Sequence, residues 1–154
     1  MVHPFAPVHV TVGQDIQVEW VSTDSPRVQG LGIRVVRLDQ RGPAGGLEVA
    51  GQRAPAIMLW QDSAPPRVTL GCVQIDDDAV VRVTNRWRHA DGREDEWSNN
   101  YGMLIEEEGP DAVLLRCSDG VGDEPTFTDL VVRITRLPGP AGRFLVERTP
   151  RADP

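Results

Sequence analysis

The sequence predicts an all-β, single-domain antiparallel sandwich of two sheets, jelly-roll-like in layout. Three observations carry that prediction. Apolar and polar residues alternate with period two in one segment after another, while no window of roughly 11 residues or more holds a helical repeat. Turn signals rich in Gly, Pro and Asp recur roughly every 8 to 12 residues and separate about ten short strands. The 154 residues contain no internal repeat and no linker, so residues 1–148 read as one domain and 149–154 as a flexible tail.

Val8 to Val12 is the first short strand, and Gly13-Gln14-Asp15 turns the chain into Ile16 to Val21. There Ile16, Val18 and Trp20 share one face, and Gln17 and Glu19 the other. A loop from Thr23 to Gly30, marked by Asp24-Ser25-Pro26, precedes the β-branched strand Leu31 to Leu38, whose arginines occupy its wetter face. Gln40 to Gly46 is a breaker, and Leu47 to Ala50 is a weak pairing segment. Ala56 to Gln61 is a strand, and Pro65-Pro66 imposes an extended entry into Arg67 to Ile75. Asp76-Asp77-Asp78 reads as a tight turn joining that strand to Ala79–His89 in a hairpin. The second arm presents Val81, Val83, Asn85 and Trp87 on one face and Val80, Arg82, Thr84 and Arg86 on the other. Gly102 to Glu106, Ala112 to Cys117 and Phe127 to Arg136 complete the set, with Arg143 to Glu147 as an added edge.

Composition narrows the function. Apolar residues make up 40% and charged residues 25%, which fits neither a disordered nor a membrane-embedded chain. No apolar run approaches the ~20 residues of a spanning helix, and no secretory signal is visible at the N-terminus. The expectation is a cytoplasmic protein, or one exported without a visible Sec signal. The net charge of −7 argues against nucleic-acid and anionic-membrane partners. All 16 basic residues are arginine, which excludes Schiff-base lysine chemistry and the phosphate-loop lysine. Cys72 and Cys117 fall in phase with apolar neighbours and read as buried thiols, with a disulfide between facing strands as the alternative.

The densest candidate site runs from Ser118 to Asp129. Asp119, Asp123, Glu124 and Asp129 lie in one segment with Gly120 and Gly122 between them. Calcium takes roughly six to eight hard oxygens, and glycines let a loop curl around the ion. Asp119, Asp123 and Asp129 are therefore the candidate calcium ligands, although the spacing is not that of an EF-hand. A solvated polar loop is the competing reading. Just upstream, Trp97 and Tyr101 flank Asn99 and Asn100, and an aromatic platform beside amide side chains is how sugar rings are held. The competing reading there is a turn whose asparagines cap their own backbone.

From Asn100 to Ile134 the chain resembles the C-terminal half of the small soluble calcium-dependent, galactose-binding bacterial lectins. The resemblance rests on Asn100-Tyr101-Gly102-Met103-Leu104, Ala112-Val113-Leu114-Leu115-Arg116, Asp119-Gly120, Asp123 and the closing Leu130-Val131-Val132-Arg133-Ile134. Gly13-Gln14-Asp15-Ile16-Gln17-Val18 is similar to that family's first strand. The resemblance implies a jelly-roll-like sandwich in which Asp119 and Asp123 bind calcium. The family's Asn or Asp pair ahead of a Gly-Ser step is replaced by Pro125-Thr126-Phe127-Thr128-Asp129, so no sugar ligand carries over.

His89, Asp91 and Ser98 supply the residue types of a catalytic triad without a nucleophile elbow, so a non-enzymatic role is expected. The expected function is a ligand-binding module for a carbohydrate or other small ligand, assisted by calcium. A structural or protein-interaction β-domain, acting as a homo-oligomer or with a protein partner, is the alternative.

Overall fold

A computed structural model describes residues 2–37, 45–75, 79–95, 101–120 and 125–138. Among these residues there is no helix, and every strand pairing is antiparallel. The twelve strands are β1 (Ala6–Val8), β2 (Asp15–Thr23), β3 (Val28–Arg37), β4 (Gly45–Val49), β5 (Gln52–Ala54), β6 (Ala56–Trp60), β7 (Arg67–Ile75), β8 (Ala79–Arg88), β9 (Glu94–Asp95), β10 (Tyr101–Glu107), β11 (Ala112–Asp119) and β12 (Leu130–Arg136). One sheet runs β10-β11-β12-β2-β7-β4-β5. The other runs β1-β8-β3-β6, with β9 also paired to β8. The all-β two-sheet sandwich expected from alternation is what the chain adopts.

Alternation decides which side chains meet between the sheets. From the first sheet come Ile16 and Val18, Leu70 and Cys72, Leu115 and Cys117, and Leu130, Val132 and Ile134. The second sheet supplies Leu31, Ile33 and Val35 with Val81 and Val83. Each large aliphatic side chain buried here contributes about 1.5–3 kcal/mol. Cys72 and Cys117 are both buried and form no disulfide, as their phase implied.

Three local expectations give way. β7 and β8 do not form a hairpin: β7 pairs with β2 and β4, and β8 pairs with β1, β3 and β9. Both strands are well patterned, but they lie in different sheets. The second concerns the final strand, which begins at Leu130 rather than Phe127. Asp129 lies outside the ladder and its carboxylate accepts the backbone N–H of Asp119. The first strand is Ala6–Val8, short of the expected Val8 to Val12. The acid turn Asp76-Asp77-Asp78, the segment Arg143 to Glu147 and the tail 149–154 lie outside the described residues.

One end of the interior is different. Following β3 back from Leu31 brings Gln29 onto the inward face, and following β8 on from Val83 brings Asn85 and Trp87 there. Opposite them, β11 ends in Ser118 and Asp119. Gln29, Asn85, Ser118 and Asp119 are each 0% exposed. The sandwich is thus apolar along most of its length and polar at this end.

Candidate functional site

The polar end is built around one residue, Asp119, which is bonded through both its carboxylate and its backbone. Asp119 Oδ2 accepts from Ser25 Oγ at 2.5 Å and from Gln29 Nε2 at 2.9 Å. Its backbone carbonyl accepts from the Arg27 guanidinium at 2.9 Å, and its N–H donates to Asp129 Oδ2 at 3.0 Å. Asp129 Oδ1 in turn accepts from Thr126 Oγ1 at 3.2 Å, and the Asp129 carbonyl accepts the N–H of Asp24. Asn85 Nδ2 reaches across from β8 to the Ser118 carbonyl at 3.1 Å. Gln29 is further anchored through its backbone N–H to Gln61 Oε1. Gly120, at φ 78°, takes the left-handed conformation that directs the chain away from β11.

Two acids ten positions apart in sequence are therefore brought together and buried, Asp129 at 4% exposure and Asp119 at 0%. Burial raises the Asp129 carboxyl to about 6. The Asp119 charge and side chain push it in the same direction, while the hydrogen bonds from the Asp119 amide and Thr126 oppose them. Two carboxyls in this position resist becoming a dianion unless a proton or a cation lies with them.

Two amide oxygens sharpen that electrostatic picture. Gln29 and Asn85 use their NH₂ groups on Asp119 and Ser118, which fixes the direction of each amide. Their oxygens, Gln29 Oε1 and Asn85 Oδ1, are buried without a hydrogen-bond partner. Such oxygens are costly as orphans, and they are the neutral ligands that calcium accepts beside carboxylates. Asp119 Oδ2 faces the Gln29 NH₂ and the Ser25 hydroxyl, so the Gln29 oxygen is turned away from it. Among the described residues no three acidic, histidine or cysteine side chains cluster as a metal site.

Of the candidates read from sequence, Asp119 and Asp129 converge. Asp123 lies outside the described residues, as do Trp97, Asn99 and Asn100. Tyr101 opens β10 and pairs with Asp119 across the ladder, so the Trp97–Tyr101 stretch leads into the strand beside the carboxylates. Ser25, Arg27, Gln29, Asn85 and Thr126 did not emerge from the sequence as site residues. A polar residue at an inward phase was the available signal for Asn85, whereas Gln29 falls in the segment read as a loop from Thr23 to Gly30 and belongs to β3. His89 Nε2 meets Asp95 Oδ2 at 3.2 Å, while Asp91 accepts from the Arg93 backbone, so the residue pairing behind a triad is different from the one expected.

Two surface cavities lie away from this end. The larger, about 260 Å³, is at the opposite end of β11 beside Pro110, Ala112 and Arg136. There the Arg136 guanidinium is engaged with the carbonyls of His9 and Pro110 and with Asp111. The second, about 240 Å³, lies on the outer face of β3, β6 and β8. Comparison with protein-family models, curated proteins and solved structures gives no match to this chain. No helix among the described residues is long and apolar enough to cross a membrane.

Proposed function

We propose that this chain is a non-enzymatic ligand-binding sandwich whose Ser118–Asp129 end binds calcium, and that the ordered end recognises a carbohydrate or similar small polar ligand. The observation that carries the reading is the buried Asp119–Asp129 pair. Calcium there would neutralise the two acids, replacing the proton that burial otherwise favours. Support for the ligand lies in register. Tyr101 is the cross-strand partner of Asp119, so Trp97, Asn99 and Asn100 precede the strand that borders the acids.

The test is a thermal melt of chelator-treated protein with and without calcium. A ligand that binds the folded state alone stabilises it by about 2.7 kcal/mol at a hundredfold excess over Kd. Calcium should raise the melting temperature of the parent and leave Asp129→Asn nearly unmoved. An unchanged parent would sink the calcium reading. Retention on immobilised galactose or other glycans in calcium, released by chelator, tests the recognition step.

A further inference from the structure

β6 ends the smaller sheet, and one side of its backbone is left over. Val35 N–H donates to the Pro55 carbonyl at 3.2 Å, and Gln61 N–H donates to the Gln29 carbonyl at 2.9 Å. Ladder bonds alternate along an antiparallel pair, so Ile57 and Leu59 turn their N–H and C=O groups toward β3. Those of Ala56, Met58 and Trp60 point the other way. The Trp60 carbonyl accepts from the N–H groups of Ser63 and Ala64. Among the described residues no strand pairs with that side of β6.

Two glycines of β3 keep the edge uncovered. Gly30 and Gly32 are the register partners of Trp60 and Met58. The Trp60 ring lies over Gly30, where a Cβ would come within 2.5 Å of it, and Arg88 covers the ring 4.9 Å from its centroid. Met58 Sδ lies 3.8 Å from where a Gly32 Cβ would stand and meets Arg86 Nη1 at 3.8 Å. Both long side chains thus lean back across β3, away from the open edge.

The other outer strands are guarded. β1 and β5 are three residues each, with Pro7 and Arg53 at their centres, and β9 is two residues. β10 carries Glu106 and Glu107, and His3 bridges it at Met103. Short length, proline and charge are the devices that keep an edge from pairing. β6, Ala-Ile-Met-Leu-Trp, has neither proline nor charge. Its Ile57 and Leu59 pack on the core but are only partly buried, as residues are where a sheet stops short.

Symmetry and charge name the occupant. Copies of a chain with net charge −7 approach best where carboxylates are absent from the contact. The central residue of β6 faces outward, so a second β6 turned about a two-fold axis at Met58 overlaps it from end to end. Each Met58 N–H then meets the other Met58 carbonyl, and each Trp60 N–H meets the partner's Ala56 carbonyl. Ile57 comes to lie beside the partner's Leu59. Exposed Arg34 stands next to the small Ala56, on the row of the partner's Trp60 and toward the partner's half-exposed Asp62. Opposite charges therefore face each other at both ends of the paired strands.

We propose that β6 is the interface of a two-fold homodimer in which the smaller sheets of two copies join into one continuous antiparallel sheet. The acidic end takes no part, so the test is run in chelator.

The full chain is sized by light scattering across a dilution series. The parent should show twice the mass of one chain and dissociate on dilution. Met58→Pro removes an outward donor and no bond to β3, so it should fold and be monomeric. Met58→Lys opposes like charges on the axis and should also be monomeric, which decides the matter if the proline variant does not fold. Met58→Cys should oxidise to a disulfide-linked dimer, because the two-fold partners stand about 5.5 Å apart between Cα atoms. Thr69→Cys, exposed on β7, should not. A parent that is monomeric at every concentration would overturn the proposal. So would a dimer that survives both the Met58→Pro and Met58→Lys changes, or equal cross-linking of the two cysteine variants.

Discussion

The backbone N–H of Asp119 donates to Asp129 Oδ2 at 3.0 Å, joining the last residue of β11 to the residue just before β12. The carboxylate of one acid thus secures the main chain of the other, and both are shut away from water. Whatever passes between β11 and β12 is pinned at its two ends by this bond.

Proton affinity at that pair gives the first prediction. In chelator, the folded protein holds the Asp129 proton up to about pH 6, while the ordinary carboxyl value is 3.8. The folded state therefore binds the proton more tightly than the unfolded chain. The stability this confers is fully present below the ordinary value and is lost as pH rises from about 4 to about 6. Glu19 and Glu108, held low chiefly by hydrogen bonds from Arg133, act in the opposite sense, so the readout is the difference between parent and variant. Denaturant unfolding should show the parent losing about 1–2 kcal/mol relative to Asp129→Asn between pH 4 and pH 7. Parallel profiles would mean that Asp129 titrates normally.

Adjacent glycines in β4 make a paired prediction. A Cβ on Gly45 would fall 2.0 Å from the Gln74 carbonyl oxygen and 2.8 Å from Val35 Cγ1, whereas one on Gly46 meets only Val73 Cγ2 at 3.6 Å. Backbone cannot move aside as a side chain can. Gly45→Ala should cost about 1–3 kcal/mol of unfolding free energy, and Gly46→Ala should cost far less. Equal effects would show that β4 does not press against β7 as described.

Thiol reactivity supplies the third. Cys72 and Cys117 are fully buried and form no disulfide, and burial drives the Cys117 thiol well above the ordinary range. The thiolate is the reactive form, so both should resist a thiol reagent in the native state and react together on unfolding. Rapid labelling of either in native buffer would place it on the surface.

The sequence made the faces of strands legible but not their partners. Val81, Val83, Asn85 and Trp87 share a face because strand geometry is local, and that face is the inward one. Pairing is long-range, so two patterned strands around Asp76-Asp77-Asp78 looked like one hairpin although they belong to opposite sheets. Trp60 shows the same limit: a tryptophan in an apolar strand suggests core, yet it lies outward over Gly30 and beneath Arg88. At the acidic end, Asp119 and Asp129 stood out because acids and glycines cluster in sequence. Ser25 and Arg27 did not, since only the approach of the β2–β3 connection brings them to Asp119. Asn85 was visible as a polar residue at a core phase, a signal that a purely compositional search for acids passes over.

The position of β2 has a consequence for how the protein is made. This early strand lies between β12 and β7, so one of its two edges is completed only by the final strand of the described fold. During synthesis β2 emerges from the ribosome long before β12 and carries an unsatisfied edge meanwhile. Such sequence-distant pairing slows folding and leaves the nascent chain open to intermolecular strand exchange. Protection of the growing chain is thus a requirement imposed by topology, and a chain halted ahead of Leu130 should aggregate rather than settle into a smaller version of the same sandwich.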